Sequence, residues 1–181
     1  VAAALLLSWI GYRLAPFAPA LDTAEWASSL APLVGGGWPA PGAFATHLVA
    51  WLILHFLGER LVPGRAFALA AGTMCLVLAG RVLFADMGLA IAEVAGMAAA
   101  LALAPALARL PRMTDARLLA AALMLLIAFQ GLAPFDFQLA QDRFALLPFG
   151  ESLTQYRAAN LADMFLRCFM NGALVWLLAK A

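Results

Sequence analysis

Charge is what this sequence has least of. Asp, Glu, Lys and Arg make up 12% of its 181 residues, against roughly 25% in an ordinary soluble domain. Eleven basic and ten acidic residues leave a net charge of +1, which excludes the basic footprint of a nucleic-acid partner. Histidine is equally scarce. His47 and His55 lie eight apart on one apolar run, roughly 80° off a common helical face. With no third ligand at metal-binding spacing, they read as interhelical hydrogen-bonding groups. The two cysteines, Cys75 and Cys168, both fall in apolar runs, where the residue serves as a small hydrophobe rather than half a disulfide. No G-x-S-x-G, H-E-x-x-H or phosphate-binding glycine loop occurs. "GGGWPAPG" (35–42) lacks the Lys of such a loop, and Ser28 and Ser29 have no His placed beside them by spacing. No local motif here points to an enzyme, and no cofactor is expected, a bound lipid being the one candidate ligand.

What is abundant is apolar. Hydrophobic residues are 66% of the chain and mean hydropathy is +0.94, more than a core of this size can hide from water. The natural solvent is lipid. Continuous Ala/Leu-rich runs favour helices over the short alternating strands of a membrane barrel. The expected fold is all-α: a polytopic transmembrane bundle of six helices in a single domain. Its spans are a partial first one at 1–11, then 43–61, 66–85, 87–107, 116–135 and 159–179. The chain opens on Val inside an apolar run and stops at "LLAKA", so the natural protein is expected to continue beyond one end or both. Arg60, Arg65, Arg109, Arg112, Arg117 and Lys180 gather on one side. Arg13, Arg143 and Arg157 share the other with most of the acids. The bias places both termini inside, with loops 12–42 and 136–158 outside.

Those two loops begin alike. Leu14, Ala15, Pro16, Phe17, Leu21 and Trp26 align with Leu132, Ala133, Pro134, Phe135, Leu139 and Phe144, each 118 positions on. The match implies a parallel internal repeat. Pro16 and Pro134 end their helices, and Phe17, Trp26, Phe135 and Phe149 are candidate anchors at the membrane interface. Trp9 and Trp38 outside, and Trp176 inside, are expected in the aromatic belts. After the first junction, Trp26, Leu30 and Leu33 form a helical stripe behind an Asp22/Glu25 capping box, the pattern of a short helix lying on the membrane surface.

A charge inside a membrane costs at least about 2.5–3.5 kcal/mol near the centre of a span and is a functional candidate by default. Arg81, Glu93, Asp163 and Arg167 all fall in the outer half of their expected spans, and Asp86 stands between the third and fourth. One reading gathers them into a polar cluster beneath the long loops that holds a lipid headgroup or the polar end of a cell-wall precursor. The structural alternative makes Asp163–Arg167 an intrahelical i,i+4 pair, Asp86 a helix N-cap and Arg81 a snorkelling side chain. Gly88, Gly96 and many Ala make the 87–107 helix the candidate for the bundle centre or for contact with another subunit.

Around these residues the chain resembles the VanZ-like family of bacterial membrane proteins. In 132–178 the resemblance rests on Pro134-Phe135, Pro148-Phe149 and Asn160 opening a helix. In "GRVLFADMGLAIAEVAGMAAAL" (80–101) it rests on Arg81, Asp86 and Gly96. The chain departs from the family in "AGTMCLVLAGR", which lacks the Glu and Gln usual before that Arg, and in the following helix, which lacks the expected Asn. The resemblance implies a cell-envelope protein linked to teicoplanin resistance, acting on a lipid-linked precursor or a glycopeptide antibiotic at its outer face. Two other readings stay open: an accessory subunit packed against other membrane subunits, and a small transporter. The latter lacks the helix broken at mid-membrane in both halves.

Overall fold

The computed structural model describes residues 1–15, 17–20, 22–35, 40–84, 88–107, 109, 112–132 and 158–181. Within them the chain is helical: α1 (Ala2–Leu14), α2 (Thr23–Gly35), α3 (Pro41–Leu61), α4 (Ala66–Leu83), α5 (Ile91–Leu107), α6 (Arg112–Leu132) and α7 (Ala158–Leu178). No strand forms among the described residues; a single antiparallel bridge joins Pro19 to Phe84. Among the described residues, three helices are by length and composition able to cross a membrane: Pro41–Leu61, Ala66–Leu83 and Leu161–Leu178. The apolar α1 and α5 are shorter.

Local chemistry sets the ends. Pro41 opens α3 at a position where its missing N–H is not needed. Gly64, at φ +76°, makes the turn between α3 and α4, a conformation that costs other residues strain. Asp22 Oδ1 accepts the Ala24 N–H at 3.0 Å and caps α2. The expected span at 87–107 yields a helix that begins only at Ile91. The Leu89 N–H is drawn instead to the Ser29 carbonyl of α2, at 2.8 Å, so the entry to α5 is held beneath α2.

α3 and α5 approach closely at Gly96. A Cβ on Gly96 would lie 2.6 Å from His47 Cβ and 3.0 Å from the Leu48 backbone nitrogen. α1 seats against α7, with Gly11 under the Phe165 ring and Gly172 against Leu5. Between these pairs lies an aromatic core in which Trp9, Trp51 and Phe169 are fully buried. Trp9 stands 4.9 Å from Phe169 and 6.2 Å from Trp51, centroid to centroid. It is therefore not a belt residue: its depth along α1 suits a belt, but its face of the helix points between α3 and α7. Trp176 is half-buried, its ring 5.6 Å from Phe56, and Trp38 lies outside the described residues.

The outer surface remains apolar. Leu76 on α4, Leu125 on α6 and Val175 on α7 are all more than half exposed, and both cysteines are free and exposed. Such faces on several helices suit lipid better than water. On α2, Ser29 faces the bundle while Leu30 and Val34 are exposed; Leu33 of the expected stripe is half-buried, and the partly exposed Trp26 donates its indole N–H to the Ala20 carbonyl at 3.2 Å. Phe17 is exposed, its ring edge-on to that of Phe84.

Candidate functional site: a buried arginine–glutamate–arginine centre

Three helix ends meet at one level of the bundle. Arg13 is in the last turn of α1, Arg81 in the last turn of α4, and Glu93 in the first turn of α5. The chain leaving α1 is tied to the chain leaving α4 by the Ala20 N–H bond to the Leu83 carbonyl, at 2.8 Å. The Leu89–Ser29 bond fixes the start of α5 under α2. Each charge thus occupies the helix end of favourable sign, cations at carboxyl ends and the anion at an amino end.

The side chains converge on one carboxylate. Glu93 Oε2 forms ion pairs with Arg13 Nη2 and, at 3.1 Å, with Arg81 Nε. Glu93 is fully buried, the Arg13 side chain 7% exposed and that of Arg81 15% exposed. Arg81 also donates through Nη2 to the Gly88 carbonyl, and the Arg13 guanidinium lies 5.2 Å from the centroid of the Tyr12 ring. Two permanent cations against one carboxylate leave a positive charge with no counter-ion among the described residues. The hydrogen bonding is incomplete as well: Glu93 Oε1, Arg13 Nε and, from α3, His47 Nδ1 are buried without a partner. His47 meets the Trp9 ring edge-on at 6.3 Å, and its Nδ1 makes no interhelical hydrogen bond.

Of the residues singled out in the sequence, Arg81 and Glu93 come together. Asp163 and Arg167 do not join them. They pair with each other at 2.6 Å on an exposed face of α7, which is the intrahelical arrangement. Asp86, Phe135 and Phe149 lie outside the described residues. The residue that sequence reasoning missed is Arg13, placed there in the first long loop. α1 continues past residue 11 to Leu14, which carries Arg13 into the bundle. Its signal was the i,i+4 spacing from Trp9, which sets both on one helical face.

No group of three or more His, Cys, Asp or Glu side chains capable of holding a metal occurs among the described residues. What the centre can do is electrostatic. A buried centre with surplus positive charge and unmet donors attracts an anionic oxygen group, and guanidinium groups suit carboxylate or phosphate through paired N–H donors. Comparisons with protein-family models, curated proteins and solved structures give no match to this chain.

Proposed function

We propose that the chain is a multi-pass protein of the bacterial cytoplasmic membrane, VanZ-like in character, that holds the anionic head of a lipid-linked envelope precursor at its outer face. The observation that carries this reading is the surplus charge of the Arg13–Glu93–Arg81 centre. Burying a charge without a counter-ion is costly, and a phosphate brought to the partly exposed Arg81 relieves that cost. The exposure of Leu30 and Val34, with the partly exposed Trp26, on α2 fits the same reading, because a helix of this kind lies flat at the headgroup level. α2 sits directly over the entrance to α5, where an incoming headgroup would pass.

The test is retention of a polyprenyl pyrophosphate by the purified protein in detergent, measured by native mass spectrometry. Wild type is expected to retain it at least about tenfold better than Arg81→Gln, the effect of losing one charge-assisted contact. Equal retention by the two proteins refutes the proposal. Retention of teicoplanin instead would move the ligand to the glycopeptide side of the same centre. Recovery only in fixed stoichiometry with other membrane proteins would favour the accessory-subunit role.

A further inference from the structure

The opposite end of the bundle holds a second polar site. A cavity of about 50 Å³ opens between α3, α5 and α6, room for roughly three water-sized groups. Leu52, Phe56, Leu107 and Leu119 form its apolar wall, and His55, Glu59 and Asp115 supply its polar groups. Asp115 is 93% buried, being 7% exposed. Its Oδ1 has no hydrogen-bond partner, and neither has His55 Nδ1. No Lys or Arg pairs with Asp115 or Glu59 among the described residues. Carboxylates can only accept hydrogen bonds when ionised, so the cavity asks for a cationic donor.

The rim asks for the opposite. Arg60, one residue after Glu59, lays its guanidinium over the ring of Phe56, 5.4 Å from the centroid, and Phe56 is itself part of the cavity wall. A cation-seeking interior beside a guanidinium rim matches a zwitterion with an ammonium tip and a phosphate behind it. We infer that this cavity binds the headgroup of an aminophospholipid: the ammonium enters towards Asp115, His55 and Glu59, and the phosphate meets Arg60. A primary ammonium offers three N–H donors, whereas the trimethylammonium of a choline lipid offers none and is bulkier. The inference rests on the membrane location proposed above but not on the arginine–glutamate centre, which lies at the other end of α3.

The experiment is native mass spectrometry of the full chain released from mixed micelles containing phosphatidylethanolamine and phosphatidylcholine of identical acyl chains. Wild type is expected to retain the ethanolamine lipid about tenfold over the choline lipid, with N-methyl and N,N-dimethyl headgroups falling between. Asp115→Asn should abolish the preference. Glu59→Gln, at an exposed position that does not threaten folding, should reduce it several-fold. Arg81→Gln should leave it unchanged, which separates this site from the anion site. Equal retention of the two lipids by wild type, or an unaltered preference in both Asp115→Asn and Glu59→Gln, overturns the inference. Saturable binding of ethanolamine alone, lost in Asp115→Asn, would identify a free amine as the ligand and overturn the lipid assignment.

Discussion

Replacing Glu93 by Gln tests whether the buried centre is held together by charge. Glutamine keeps the shape and one carbonyl acceptor of the glutamate but removes the only anion that pairs with Arg13 and Arg81 among the described residues. Both guanidiniums remain charged under any folding condition, so the substitution leaves two cations facing a neutral amide in a site where Glu93 is fully buried. Removing one partner of a buried ion pair costs about 3–5 kcal/mol. For a chain of this length, at roughly 2–4 °C per kcal/mol, the melting midpoint falls by on the order of 10 °C. Arg13→Gln provides the contrast, because it leaves one cation opposite one anion and cancels the surplus charge. Its destabilisation should be clearly smaller than that of Glu93→Gln, although a size and packing argument alone ranks the larger arginine first. Thermal unfolding in one detergent, followed by tryptophan fluorescence, measures both. A Glu93→Gln midpoint within about 2 °C of wild type, less than the shift for 1 kcal/mol, or a larger loss for Arg13→Gln, refutes the charge argument.

Two further outcomes follow from the packing. Gly96→Val places a branched side chain where a Cβ already meets His47 Cβ at 2.6 Å and the Leu48 backbone nitrogen at 3.0 Å. It should cost about 1–3 kcal/mol or more through overpacking, read as a lower melting midpoint. Gly72→Ala meets nothing within 4 Å and should be neutral or stabilising by up to about 1 kcal/mol, so the pair separates close approach from helix propensity. Asp163→Asn and Arg167→Gln each break a pair whose side chains are 53% and 75% exposed. Pairs of that kind contribute about 0–1 kcal/mol in water, and neither variant should alter polyprenyl pyrophosphate retention. A loss of retention in either would draw α7 into the anion site.

Much of the helical architecture is legible in the sequence, because a continuous apolar run with few charges has little else to be. Which side of a helix faces inward is harder to read. Trp9 shows why: the one charge of α1, Arg13, turns inward on the same face as Trp9, so no polar face marks the outside and only the seating of α1 between α3 and α7 decides. α7 poses the same problem for Asp163 and Arg167. Its buried line runs through Phe169, Ala173 and Leu177, and Arg167, two residues before Phe169, falls off that line. The entry to α5 was illegible for another reason. "MGLA" suits a helix, and the competing hydrogen bond comes from Ser29, some sixty residues earlier in the chain.

The centre itself was half visible, and the missing half points to a sharper way of reading such chains. Depth in a span does not pick out the charges that meet, since Asp163 and Arg167 were placed at a similar depth. Helix ends do. Arg13 comes just before Ala15-Pro16, Arg81 just after Gly80 and before the chain turns, and Glu93 in the first turn of the next helix. Each is close enough to the end of its helix to be stabilised by the terminal peptide dipoles, which offsets part of the cost of burial. A charge in mid-helix has no such compensation and turns outward or pairs along its own helix, as Asp163 and Arg167 do. Sorting charges by the sign of the nearest helix end selects Arg13, Arg81 and Glu93, along with Arg60 in the last turn of α3 and Asp115 in the first turn of α6, so the end of the bundle at which each helix terminus lies must finish the sorting.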